Sequence, residues 1–411
     1  MEFHQHCILQ KRSMASTNEK VISSYIPDEI SYSILSKLPL KSLKRFKCVQ
    51  KSWSLLCENH HFMNMFLNRF LSYNDPTSLI LLRVLENINV TCEEIFYSFS
   101  GERFENKVKL DWSSSLENHF EITGLFGQHL NGTLCLYGDY GEIVLLNPTT
   151  QTMKPLPASE AQSVELSIPD EAFGYVDLQV EYCLVHGFGY EPVINDYKVI
   201  RILIYNLQSS AQSDADWLSD TNFNPIWEIY SLRSNSWRKL HVNMPYTWEC
   251  TDGAQVYMDG VCHWFCRSYR NVGPCLVSFY LRNEEFLVTL IPSDIDNCFD
   301  FDVQPSWINL AVLNEYIALI SYHKETTTFH ISILSEFGMK ESWTKLLIVG
   351  PLSCVQCPIK VGTKGEIFFI RKDAELVWLD LSTQMIAEVG YKEREARITE
   401  IIVYKESILP N

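Results

Sequence analysis

The sequence predicts an α+β multidomain chain, a small amino-terminal unit of three short helices followed by a large all-β domain made of repeats. Three observations predict it. Apolar residues recur at helical spacing between Ile30 and Arg69, and that period then disappears. Beyond Leu71, short runs rich in Val, Ile, Tyr, Phe and Trp alternate with Asn, Asp, Gly, Ser and Pro, the vocabulary of strands and hairpins. At 411 residues the chain also exceeds the roughly 250–300 residues at which a single core stops growing.

The first twenty residues are polar and without period, which predicts a disordered leader, with Met14 an alternative start. From Pro27 the apolar residues Ile30, Ile34, Leu35 and Leu38 follow a helical period. Pro27 sits at a helix-opening position, and Asp28 and Glu29 favour the positive end of the dipole. Leu38-Pro39 ends this helix, because the residue before proline is pushed out of the helical region. Leu40, Leu43 and Phe46 mark a second helix, and Val49, Trp53 and Leu56 a third. Phe62, Met65, Phe66 and Arg69 continue as a linker helix. The expected boundaries are 1–20 leader, 21–66 helical unit, 67–74 linker and 75–411 β domain. Three short helices in so few residues do not close a core alone, and neither metal ligands nor disulfide spacing is present there, so the unit needs a partner.

Charge divides the chain in the same place. Residues 1–70 carry ten Lys/Arg and five Asp/Glu, whereas the rest carries 24 and 45, for a net charge of −16 overall. Such a field repels phosphate, which argues against nucleic-acid and membrane-surface binding. Six of the ten bases lie between Lys37 and Lys51, either a solvated helix face or a match for nucleic acid, anionic lipid or an acidic protein. The thirteen cysteines lack framework spacing, and Cys135, Cys183, Cys262 and Cys275 have apolar or aromatic neighbours. That pattern predicts reduced thiols and a cytoplasmic or nuclear protein. No signal peptide or membrane span is legible, so the sequons at Asn89 and Asn131 are expected to stay unmodified.

Two strings recur in the β domain. One is a turn leading a strand: Asn131-Gly132 before Thr133 to Leu136, Asp259-Gly260 before Val261 to Trp264, Asn314-Glu315 before Tyr316 to Leu319, and Lys364-Gly365 before Glu366 to Phe369. The other is a hairpin, spanning 143–156, 227–240, 276–291, 331–346 and 376–389, whose second strand is expected to carry Trp237 or Trp343 into the core. The later copies are about fifty residues apart, the period of kelch-type blades, which predicts a closed β-propeller whose blade number the period leaves open, six being a guess. An acidic, serine-rich insert at 209–221 blurs the register.

These residues resemble a known family. Ile26-Pro27-Asp28-Glu29-Ile30, Ile34 through Leu43, Arg45-Phe46-Lys47-Cys48-Val49 and Lys51-Ser52-Trp53 look like the plant F-box pattern, with Ile26 for the family's leading leucine. Phe188-Gly189-Tyr190, Asn195 through Val199, Trp237 through Leu240, Gly260 through Trp264 and Tyr404 through Ser407 look like the F-box-associated interaction domain. Together they cover nearly the whole chain and are similar to S-locus F-box proteins. The resemblance implies a substrate-recognition subunit of a Skp-cullin-F-box ubiquitin ligase, without catalysis or cofactors of its own. It implies adaptor contact through Ile26, Pro27, Ile30, Ile34, Leu35, Leu38, Pro39, Leu40, Leu43, Phe46, Val49 and Trp53, cullin and RING subunits reached through the adaptor, and a target protein held by the propeller. For Ile30, Leu35, Phe46 and Trp53, packing among the helices is an equal alternative.

Other chemistry fails on spacing. Cys354 and Cys357 lack a second pair for zinc, and His4 and His6 lack further ligands. Asp294, Asp296, Asp300 and Asp302 suggest a calcium loop, but Phe299 stands where glycine is needed and Pro305 where the bidentate glutamate belongs. Gly187-Phe188-Gly189 lacks the third glycine of a dinucleotide site. Two alternatives stay open: a β-propeller enzyme or sugar-binding protein with an incidental helical extension, and an adaptor-bound protein of an assembly other than a ligase.

Overall fold

Strand-forming runs separated by tight turns fold into antiparallel sheets wherever each turn fits the twist of its strands. In the computed structural model six such sheets follow one another along the chain. The structure describes residues 27–38, 49, 53, 59, 62, 65, 78–88, 91–101, 104–110, 124–138, 141–161, 166–170, 174–209, 226–241, 255–266, 273–292, 307–362, 365–392 and 396–405. The first sheet contains β1 (Ser78–Ile88), β2 (Thr91–Ser100) and β3 (Asn106–Leu110). The second is β4 (Gly124–Leu130), β5 (Thr133–Tyr137), β6 (Ile143–Asn147) and β7 (Thr152–Pro155). The third is β8 (Leu166–Asp170), β9 (Gly174–Glu191), β10 (Asp196–Ser209), β11 (Ile226–Ser231) and β12 (Ser236–Lys239). The fourth is β13 (Val256–Met258), β14 (Val261–Cys266), β15 (Cys275–Tyr280) and β16 (Glu285–Leu290). The fifth is β17 (Trp307–Leu313), β18 (Tyr316–His323), β19 (Thr328–Leu334) and β20 (Trp343–Val349). The sixth is β21 (Val355–Val361), β22 (Glu366–Arg371), β23 (Glu375–Asp380) and β24 (Ile386–Lys392). Finally β25 (Ala396–Lys405) returns to β1 as the inner strand of the first sheet, pairing Ile80 with Val403.

Apolar packing closes these sheets into a propeller. One apolar cluster lies at each of the six junctions between neighbouring sheets. Alternation along a strand serves two junctions at once: on β25, Ile401 and Val403 pack toward the sixth sheet, and Ile402 and Tyr404 toward the second. The Tyr404 hydroxyl bonds Gly132 O at 3.1 Å and Thr149 Oγ1 at 2.8 Å, fixing the last strand to the second sheet.

The turn-led strands of the sequence are the second strands of their sheets. Both turn residues have positive φ in Asn131-Gly132 (49° and 80°), Asp259-Gly260 (48° and 80°) and Asn314-Glu315 (45° and 65°), as a two-residue hairpin connection requires. The recurrent hairpins join the last two strands of their sheets. Each has a positive-φ residue in its turn: Gln151, Asn235, Glu284, Gly338 and Gln384. Trp343 is buried as expected, while Trp237 stays half-buried, against Tyr230 and with the Arg201 guanidinium 3.8 Å from its ring. Arg201 is itself buried and donates through Nε and Nη2 to Glu228 Oε2 at 3.0 and 2.8 Å. Cys135 and Cys262 are buried free thiols whose pKa values burial pushes upward, and Cys275 is buried as well. Cys266 differs, being disulfide-bonded.

Only part of the expected helical unit falls on described residues. One helix, α1 (Asp28–Leu35), is present, and Trp53, Phe62 and Met65 are helical. The segments 1–20 and 67–74 lie outside the described residues.

Candidate adaptor-binding surface

Helix α1 begins as its sequence dictates. Pro27 is extended (φ −54°, ψ 143°), and its carbonyl accepts from Ile30 N and Ser31 N at 3.0 Å. The chain turns out of the helix at Ser36 and Lys37, ahead of Pro39. The apolar stripe read from the sequence is split between two faces. Leu35 is 3% exposed, with Ser31 buried and Tyr32 and Leu38 half-buried beside it. Ile30 and Ile34, one turn apart, are each 52% exposed. At about 100° per residue, positions 31, 35 and 38 share one stripe, and 30 and 34 lie one step around the helix. Val49 is 68% exposed, Pro27 is exposed and Trp53 is half-buried. Ile26, Pro39, Leu40, Leu43 and Phe46 lie outside the described residues.

What covers Leu35 is the propeller. Leu35 and the fully buried Phe62 belong to the same apolar cluster as Leu313 of β17, Leu346 of β20 and Leu379 of β23, and Tyr32, Leu38 and Trp53 pack against it. Asn59 ties the pieces together. Its Oδ1 accepts from Phe62 N at 3.0 Å in the manner of a helix N-cap, and its Nδ2 donates to the Tyr32 hydroxyl at 3.2 Å. Tyr32 and Phe62 meet edge to face at 5.7 Å. The asparagine three residues before Phe62 was the available signal for this arrangement, and the periodicity of the first helix hid it.

Strand alternation sorts the connections of the propeller into two ends. The turns that lead into β5, β10, β14, β18 and β22 and those of the recurrent hairpins fall at one end, and they are short. The amino-terminal segment joins at this end, because Ser78 pairs with Lys405 at the close of the inner strand. The strands that flank 111–123, 210–225, 240–255 and 291–306 meet those segments at the other end of the propeller, and none of the four sequences contains Lys or Arg. There too the β9–β10 ladder continues to Val176↔Ser209, past its last rung with β11 at Leu203, and β8 adds a third strand. Among the described residues no group of three or more His, Cys, Asp or Glu is placed to hold a metal ion, and no helix is long and apolar enough to cross a membrane.

The model of one family, the F-box associated beta propeller domain, matches residues 82–407. The chain belongs to that family. This F-box-associated propeller protein is 22% identical over 404 residues to F-box protein CPR1 of Arabidopsis thaliana, covering 93% of this chain and 89% of the relative. It is 24% identical over 362 residues to an F-box/kelch-repeat protein of the same plant, covering 85% and 86%. Among solved structures, TolB from Acinetobacter baumannii overlays with a TM-score of 0.42 at 11% identity, over 84% of this chain and 71% of that one. That likeness is too distant to bear on function.

Proposed function

We propose that this F-box-associated propeller protein is the substrate-recognition subunit of a Skp-cullin-F-box ubiquitin ligase, with the F-box in 21–66, a linker helix in 67–74 and the target-binding domain in 75–411. The observation that carries the reading is the union, in one chain, of the F-box pattern from Ile26 to Trp53 with a family propeller spanning 82–407. The helical segment binds the Skp adaptor, with the exposed Pro27, Ile30, Ile34 and Val49 supplying apolar contact and the net positive charge of Lys37 to Lys51 suiting an acidic partner. Cullin and RING subunits follow through the adaptor, and ubiquitin transfer belongs to them. The target docks at the propeller end where β3, β10, β12 and β16 finish, since the sequences that follow them are long and such connections diversify without disturbing the sheets. Their acidic character favours a target with a basic surface. The protein works in the cytoplasm or nucleus, where the ligase operates. Affinity purification from cells with the proteasome blocked tests this reading: adaptor, cullin and target are expected together. Recovery without adaptor would overturn it.

A further inference from the structure

We infer that Leu35, Trp53 and Phe62 mount the helical segment on the fifth and sixth sheets, so that the adaptor is held in a fixed attitude to the propeller, and that these three residues do not contact the adaptor. The adaptor half of this inference rests on the function proposed above, and the mount itself does not. In the family pattern Leu35 and Trp53 are carried over as adaptor contacts, yet here Leu35 is buried against the propeller and the half-buried Trp53 packs on the same cluster.

An eight-residue helix does not bury a leucine to 3% exposure by itself, and Phe62 is fully buried. Both share a cluster with side chains of β17, β20 and β23, the junction between the fifth and sixth sheets. Each of the other five junctions is filled by strand residues and the turns between them, and only this one takes in side chains from the helical segment among the described residues. The bond from Asn59 to Tyr32 and the Tyr32–Phe62 edge contact then couple α1 to the residues around Phe62, so the pieces seat as a unit. Ile30 and Ile34 are left on the outward side. Helix and sheets are thus joined by packed side chains as well as by the chain between 66 and 78.

Hydrogen–deuterium exchange of the full chain, free of adaptor, tests the mount. Phe62→Ser is expected to speed exchange of the α1 amides at least tenfold while the β18 and β22 amides keep their wild-type rates. Leu313→Ala, made from the propeller side, is expected to speed α1 exchange as well, which a packing role internal to the helices would not produce. Unchanged α1 exchange in both variants would overturn the mount. Adaptor affinity is read separately. Phe62→Ser is expected to stay within about threefold of wild type, whereas Ile30→Ser/Ile34→Ser lowers affinity at least tenfold with α1 exchange unchanged. Equal losses in the two variants would place Phe62 at the adaptor and overturn the division of roles. A wild-type chain that binds no adaptor defeats the ligase reading and with it the adaptor half of the inference, while the exchange result still decides the mount.

Discussion

His263 gives the propeller a pH dependence whose size follows from its surroundings. It lies on β14, wholly buried, with Nδ1 2.8 Å from Ser278 Oγ and its ring stacked on Phe337 at 5.0 Å. Its Nε2 has no hydrogen-bond partner among the described residues. Burial disfavours the imidazolium and pushes the pKa from 6.5 down to about 3. The folded value lies below the unfolded one, so as pH falls the unfolded chain takes up the proton first. The contribution is fully present above about pH 6.5 and is lost progressively down to about pH 3. At roughly 1.4 kcal/mol per pH unit, the loss from pH 7 to pH 5 is about 2 kcal/mol. His263→Phe removes the titration while keeping a ring against Phe337. Urea unfolding followed by tryptophan fluorescence at both pH values is the assay, and titrations common to both proteins cancel in the difference. Wild type is expected to lose about 2 kcal/mol more than the variant over that interval. Equal losses would refute the reasoning.

Glu228→Ala leaves the buried Arg201 guanidinium without its carboxylate, at an expected cost of about 3–5 kcal/mol in the same unfolding assay. Gly260→Ala is expected to cost about 1 kcal/mol from its positive φ alone, because the nearest atom to an added Cβ, Pro192 Cδ, is 3.4 Å away and leaves room. Removing residues 396–411 strips β25 from β1 and opens the ring, and size-exclusion chromatography is expected to show aggregate in place of a folded monomer.

The hairpins and turn-led strands were legible because their information is local: a two-residue turn with positive φ selects Asn, Asp or Gly, and a strand displays its period within a few residues. The first sheet left no such trace. Its inner strand comes from the opposite end of the chain, so the pairing of Ile80 with Val403 has no local spacing to reveal it. The extension of β9 and β10 was hidden by the adjoining acidic insert, which masked where the ladder ends. On α1 the period correctly located a helix, but Ile30, Ile34, Leu35 and Leu38 were read as one face. The structure divides them, because the propeller covers Leu35 and part of Leu38 and leaves Ile30 and Ile34 exposed, a distinction that period alone does not carry.

Titration of the purified full-length chain with purified Skp adaptor, by calorimetry, tests the central claim most directly. Saturable one-to-one binding is predicted, lost in Ile30→Asp/Ile34→Asp and retained in a variant altered only within 210–225. Absence of binding by the wild-type chain, or binding untouched by the α1 substitutions, would contradict it.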